Sequence, residues 1–244
     1  MAFLWSLVFV DPLIILSTIF FGSISVLVSL FESSGRTQIR VARTWSRSLL
    51  RFAGVKVNVG GFGKISAGGS YVFAANHLSY MDTPVVLTHI PVQFRFLAKK
   101  GLFQIPLLGT HLAQAGHIPV PREDPRAAVK TLVHAAEVVR KKAISVLIFP
   151  EGGRSEDGDL QPFKEGAAYI AIKSGVPLVP VAIIGTRKIL AVGSATFRRG
   201  HVKLLIGDPI PTTGLTLRDR KMLTEEAREQ IAAILAHGAA GSPC

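Results

Sequence analysis

The sequence predicts an α/β fold, a single domain in which helices flank a mixed, mostly parallel sheet. Short apolar runs recur at 55–59, 71–75, 144–149, 179–184 and 202–206, each of strand length. Helix-patterned stretches lie between or after them, at 124–141, from 163 to about 175 and from 216 to about 237. No repeat and no linker divides residues 55–238, so one domain is expected there. An N-terminal unit, 1–54, precedes it and a short tail, 239–244, follows. The 244 residues give ample chain for one core.

Residues 3–10 are apolar, Asp11-Pro12 interrupts, and the nineteen residues 13–31 carry no charge. Asp11 as N-cap with Pro12 in the first turn is a helix start. A helix of that length reaches about 28 Å, close to the ~30 Å hydrocarbon layer of a bilayer. No basic residue precedes the run and no Ala-x-Ala site follows it, which disfavours a cleaved signal peptide. A buried core helix is the alternative, and the length of the uncharged stretch weighs against it. A spanning helix and one that dips into a single leaflet both fit.

Arg36, Arg40, Arg43, Arg47 and Arg51 follow at steps of four, three, four and four, on one helical face. Ile39, Ala42, Trp45, Leu49 and Phe52 fall elsewhere and form an apolar seam. No acid lies between Arg36 and Lys56, and the chain carries a net charge of +12. A basic amphipathic helix with a Trp reads as one lying on an anionic membrane surface. A solvated helix face is one alternative. A nucleic-acid patch is another, but no binding motif accompanies the charge, so no nucleic-acid partner is expected. Basic flanks stay on the cytoplasmic side, which puts the following domain on the cytoplasmic face of its membrane, expected to be a bacterial inner membrane.

After a strand at 55–59 and a loop bracketed by Gly60-Gly61 and Gly68-Gly69, the strand at 71–75 runs into Asn76-His77-Leu78-Ser79-Tyr80-Met81-Asp82. His77 sits at a strand end, where α/β folds place their chemistry. Asp82 precedes Thr83-Pro84, a helix start. An imidazole takes a proton near neutral pH, and a neighbouring carboxylate fixes its tautomer and stabilises the imidazolium. The bland reading is a loop His with a capping Asp.

Further on, an apolar strand leads into Lys99-Lys100-Gly101, then Pro106 and Gly109. The strand at 144–149 leads into Pro150-Glu151-Gly152-Gly153-Arg154-Ser155. Glycines let backbone approach a ligand, and Arg154 offers a planar fork of donors for phosphate. Taken singly, the lysines are a solvated strand end and Arg154 an ordinary surface residue. Asp124-Pro125 starts a helix whose expected buried face is Val129, Leu132, Val133 and Ala136. Val179-Pro180-Val181 opens the next strand, and Thr216 with Asp219 forms a capping box for the last helix.

In this order and spacing, these blocks resemble the 1-acylglycerol-3-phosphate acyltransferases of the glycerolipid acyltransferase family. That family is marked by Asn-His-x4-Asp, a Lys-containing block ending in Pro, Phe-Pro-Glu-Gly-x-Arg-Ser, and Val-Pro-Val. The resemblance covers about residues 55–210. One departure is Gly153, where the family commonly has Thr. The resemblance implies an N-terminal helical hairpin embedded in one leaflet. It also implies acyl transfer from a thioester, acyl-CoA or acyl-carrier protein, to the sn-2 hydroxyl of 1-acylglycerol 3-phosphate, giving phosphatidic acid.

In that reading His77 and Asp82 are the catalytic pair. Arg154 with Lys99 or Lys100 grips the acceptor phosphate, and Glu151 braces Arg154 or bonds the acceptor. Asn76, Gly152 and Ser155 belong to the binding blocks, with Lys164 a weaker phosphate candidate. Backbone amides near Asn76 are candidates for the oxyanion. The sole cysteine, Cys244, lies at the far end, so neither an internal disulfide nor a thiol acyl-enzyme is expected. No Cys/His cluster has zinc spacing, and no metal or bound cofactor is expected. A second basic group, Arg187, Lys188, Arg198, Arg199 and Lys203, can receive an acidic donor or a second membrane contact. The alternatives are another acceptor (glycerol 3-phosphate or another lysolipid) and, in a different class, a non-catalytic protein that only binds anionic lipid. Histidines outside the motifs are expected to be structural, with His117 the one that can line a cleft.

Overall fold

The computed structural model describes residues 2–32, 34–121 and 123–240; Cys244 lies outside them. The chain opens with α1 (Ala2–Trp5), a π turn at Ser6–Val10, and α2 (Asp11–Ser29), which together form one helix of 28 residues. The helix therefore does not start at Asp11-Pro12. Pro12 has no N–H to give, and the Asp11 amide bonds back to Ser6 O, one residue further than in an α-helix. That wider turn accommodates the proline ring inside a continuous helix. Buried Ser6 donates to Asp11 Oδ1 at 3.2 Å and accepts from the Phe197 amide at 2.9 Å, tying the helix to the domain.

Next comes α3 (Arg36–Phe52), which packs on α2. Ile39, Ala42 and Leu49 are buried, as the seam requires. The arginine stripe is not uniform. Arg36, Arg40, Arg47 and Arg51 are exposed, but Arg43 turns inward and Nη2 donates to Ile90 O and Val92 O, both at 2.7 Å. Burial, and Arg47 beside it, lower its pKa. Trp45, half-buried, turns toward α2, its Nε1 donating to Thr18 Oγ1 at 3.1 Å.

Seven strands form the sheet: β1 (Val55–Gly60), β2 (Val72–Ala75), β3 (Phe94–Lys99), β4 (Ile118–Val120), β5 (Ser145–Ile148), β6 (Leu178–Ile184) and β7 (Gly200–Ile206). Their order is β1-β7-β6-β2-β5-β3-β4. All neighbours are parallel except β6 and β7, so the sheet is mixed and mostly parallel. The helices between and after them are α4 (Asp82–His89), α5 (Leu108–Gln114), α6 (Pro125–Lys142), α7 (Gly166–Ser174), α8 (Thr186–Ile189) and α9 (Arg220–Ala240).

Both faces are covered at the central strands β2, β5 and β6, which is why these read as continuous apolar runs, while β1 at the edge alternates, with Lys56 and Asn58 exposed. In β2, Phe73 and Ala75 join one core with Val85, Val86 and Leu50; Val72 and Ala74 join the other with Ala135, Ile170 and Leu223. Helices α3 and α4 thus lie on one side and α6, α7 and α9 on the other.

Three expectations need correction. Helix α6 starts as expected, with Asp124 Oδ1 accepting from the Arg126 and Ala127 amides at 2.9 and 3.0 Å. Ala136 is buried and Leu132 packs on the same core as expected, but the buried face is completed by Ala135, Val138 and Val139, while Val129 is exposed. Strand β4 was not expected; it is three residues long with Pro119 at its centre, a proline an edge strand tolerates. Thr216 and Asp219 do bond each other, but the last helix begins only at Arg220.

Candidate active site

Strands β2, β5 and β3 are parallel neighbours, so the segments leaving their carboxyl ends share one edge of the sheet. Those segments carry His77, the 149–155 turn and Lys99.

Asn76 ends the β2 segment. Its side chain donates to Ile183 O at 3.0 Å and accepts from the Ile183 amide at 2.7 Å. It is a buried strut between β2 and β6, with its oxygen and nitrogen both committed to backbone. His77 follows, and its Nδ1 lies 2.8 Å from Asp82 Oδ2. The same oxygen accepts from the amides of Leu78 (2.7 Å) and Ser79 (2.8 Å). A carboxylate receiving those amides acts as acceptor, so His77 Nδ1 carries the proton and Nε2 presents a lone pair. The imidazole lies flat on Phe149, with centroids 3.9 Å apart and planes 13° apart. Ring orientation is thus held from below by Phe149 and from the side by Asp82. Asp82 is fully buried, and its second oxygen, Oδ1, has no partner among the described residues.

Glu151 does not brace Arg154. Its Oε1 accepts from the His77 amide at 2.6 Å and its Oε2 from the Gln161 amide at 3.0 Å. Burial raises the pKa of its carboxyl, an effect those two N–H donors offset only in part. Glu151 therefore fixes the turn that holds the histidine. The reason is topological: β5 lies beside β2, so the residue three past the strand end meets the turn after β2. Ser155 adds a second tie, its amide donating to His77 O at 2.9 Å while its hydroxyl bonds Asp157 at 2.6 Å. The amides of His77, Leu78 and Ser79 are all taken, so the oxyanion role expected of amides near Asn76 does not fall on them.

Arg154 lies with Cζ 3.5 Å above the ring of Tyr80, inside the His-x4-Asp stretch. The aromatic face holds the guanidinium and leaves its N–H edges free; no acceptor for them occurs among the described residues. Lys99 and Lys100 are exposed at the end of β3. Gly152 has φ +77°, and a Cβ there would come within 2.9 Å of Lys164 Nζ, so Gly152 serves both backbone and close approach. Lys164 is exposed and lies over that glycine. Gly153 is different: a Cβ there meets nothing within 4 Å, so a threonine fits this backbone without rearrangement.

The second basic group is not one free patch. Arg187 Nη2 donates to Glu156 O at 2.5 Å, Arg199 covers the Trp5 ring at 4.5 Å, and Lys203 Nζ donates to Gly238 O at 2.9 Å.

Tyr80 and Phe149 escaped the sequence reading. Each sits inside a recognised motif, but an aromatic beside a charged group has no sequence signature until the strands bring the two loops together. A cavity of about 440 Å³ also adjoins the site, between α2, α3, α4 and the 105–112 segment. Its wall includes Thr83, next to Asp82, and Phe96, whose ring stacks with Phe149.

A family model described as "Acyltransferase" matches residues 56–184. The chain is 38% identical over 194 residues to a chloroplastic 1-acyl-sn-glycerol-3-phosphate acyltransferase of Brassica napus, covering 79% of this chain and 54% of that protein. It is 31% identical over 215 residues to the 1-acyl-sn-glycerol-3-phosphate acyltransferase of Saccharomyces cerevisiae, covering 87% and 71%. The crystal structure of the 1-acyl-sn-glycerophosphate acyltransferase PlsC from Thermotoga maritima superposes with a TM-score of 0.71 at 26% identity, covering 90% of this chain and 95% of that one. The chain spans about half the length of the plant relatives it matches. A buried carboxylate that fixes one imidazole, a guanidinium beside them, and these likenesses lead to one conclusion: the chain belongs to the acyltransferase family.

Proposed function

We propose that the protein is a membrane-bound 1-acylglycerol-3-phosphate acyltransferase that uses acyl-CoA or acyl-carrier protein as donor. The observation that carries the reading is the His77–Asp82 bond at 2.8 Å, which leaves Nε2 as a base at the sheet edge shared with Arg154 and Lys99. The sn-2 hydroxyl attacks the thioester carbonyl and gives its proton to Nε2. Asp82 offsets the charge on the ring. The tetrahedral intermediate collapses, the C–S bond breaks, and His77 returns the proton to the leaving thiol. No covalent enzyme intermediate is needed. Arg154, with Lys99 or Lys100, holds the acceptor phosphate and aims the hydroxyl. The apolar cavity beside Phe96 suits an acyl chain.

An acceptor panel tests this reading. Purified protein with one labelled thioester is expected to acylate lysophosphatidic acid faster than glycerol 3-phosphate or zwitterionic lysophospholipids. Faster transfer to glycerol 3-phosphate would move the assignment to the alternative acceptor. No transfer to any alcohol would leave the lipid-binding alternative.

The membrane reading rests on the first helix. It has a mean hydropathy of 2.1 over its most apolar window, of which only 6% is buried. Phe3, Phe9, Leu16, Phe20 and Leu27 are exposed along it, and Ile105, Leu107 and Leu108 extend the apolar surface onto the domain. The exposed Arg36, Arg40, Arg47 and Arg51 suit a layer of anionic headgroups, each contributing about 1 kcal/mol near such a surface. Changing these four to Gln, while leaving the inward-facing Arg43, is expected to weaken binding to anionic vesicles at least ~10-fold, since even half of that summed attraction exceeds 1.4 kcal/mol. Sedimentation with anionic vesicles reads this, and unchanged binding would remove the stripe as electrostatic anchor.

A further inference from the structure

The cavity of about 440 Å³ is walled mainly by apolar side chains, among them Ile19, Phe21, Leu87, Phe96 and Leu112. Two imidazoles interrupt that wall, His111 and His117. His117 is 94% buried, and its Nδ1 accepts from the Phe96 amide at 2.9 Å. A neutral imidazole that accepts at Nδ1 carries its proton on Nε2. Among the described residues that Nε2–H has no hydrogen-bond partner.

His111 repeats the arrangement from the other side. Its Nδ1 lies 2.6 Å from the hydroxyl of Ser25, which is buried on α2. No other acceptor for that hydroxyl occurs among the described residues, so Ser25 donates and the His111 proton also sits on Nε2. The ring centroids are 6.1 Å apart. Burial lowers the His111 pKa to about 4 and, with His111 and Arg95 nearby, holds His117 well below its ordinary value. Both rings are therefore uncharged donors at neutral pH. Of the other polar side chains on the wall, Thr18 is already engaged, donating to Ile14 O at 2.6 Å and accepting from Trp45.

An unsubstituted hydrocarbon chain offers these two N–H groups nothing. A buried donor left unmatched costs about as much as a lost hydrogen bond, and a site built to bond an oxygen discriminates against the analogue that lacks it. Resting on the acyl-transfer reading, we propose that this cavity selects acyl chains bearing an oxygen substituent, a hydroxyl or keto group along the chain, whose oxygen accepts from His117 Nε2–H with His111 as a second donor. His117 and His111 are then specificity-determining residues for the donor.

The test uses full-length protein in neutral detergent with acyl-CoA thioesters of one chain length. One donor is unsubstituted, and the others carry a hydroxyl or keto group at successive positions. Wild type is expected to favour at least one substituted donor by ~5–10-fold in kcat/KM, the range of one neutral hydrogen bond. His117→Asn keeps an acceptor for the Phe96 amide but has no atom at the Nε2 position. In that variant the ratio of substituted to unsubstituted donor is expected to fall at least ~2-fold, and to near one when His111→Phe is added. Because the ratio is read within each protein, a general loss of activity does not affect it. A wild-type ratio of one or less at every position overturns the proposal, as does a preference undiminished in His117→Asn. Transfer from no thioester at all defeats the acyl-transfer reading itself, and is distinguished from loss of selectivity by the unsubstituted donor.

Discussion

His77→Ala is expected to lower kcat by at least ~10², the lower end of what a positioned general base contributes. The loss follows from the geometry around one atom. Asp82 holds the proton on Nδ1 at 2.8 Å, Phe149 supports the ring face, and Nε2 is left as the base. Alanine removes the base but leaves Glu151 and Ser155 bonded to the backbone of residue 77, so the turn persists. Sedimentation with vesicles should therefore be unchanged while turnover collapses. Asp82→Asn tests the same pair from the other side. It puts an amide where three donors converge on a carboxylate oxygen, so it should cost both activity and stability. Near wild-type turnover in His77→Ala would remove the imidazole from the mechanism.

Arg154→Ala is expected to lower kcat/KM for a phosphate-bearing acceptor by ~10–100-fold, the range for a hydrogen bond to a charged group. The guanidinium sits 3.5 Å over Tyr80 with its N–H edges unspent, so it is already oriented before any ligand arrives. Preorganisation of this kind lowers the cost of ordering on binding. The discriminating measurement is an uncharged acceptor such as a monoacylglycerol, for which the variant should lose little. An equal loss for charged and uncharged acceptors would mean that Arg154 supports the loop rather than the phosphate. Tyr80→Leu should raise the KM for the charged acceptor without approaching the Arg154→Ala loss, because stacking on an exposed ring is worth only ~0.5–1 kcal/mol.

Much of the fold was legible before any coordinates. Each central strand is buried on both faces and so appears as an uninterrupted apolar run, as in 71–75 and 179–184. Asp124-Pro125 marked its helix start because a capping side chain and a fixed φ are local properties. The failures are equally physical. Val129 fits the helical periodicity of α6 but is exposed, and periodicity carries no information about which turns of a helix a neighbour covers. Pro12 looked like a boundary, whereas a single wide turn absorbs it. The arginine stripe is genuine as a pattern, yet Arg43 leaves it to cap the carbonyls of Ile90 and Val92, far away in sequence.

What the chain determined by itself was local. The short spacing of His77 and Asp82 lets one carboxylate reach both the ring and two amides of the same turn. The apolar N-terminal run and the basic face behind it likewise need only helical geometry. Tertiary structure decided every relation that crosses strands. The pairing of β5 against β2 sends Glu151 to the His77 amide instead of to Arg154. It also places Phe149 under the imidazole and brings Arg154 over Tyr80. Strand order is a property of the assembled sheet, and no residue encodes it within its own neighbourhood.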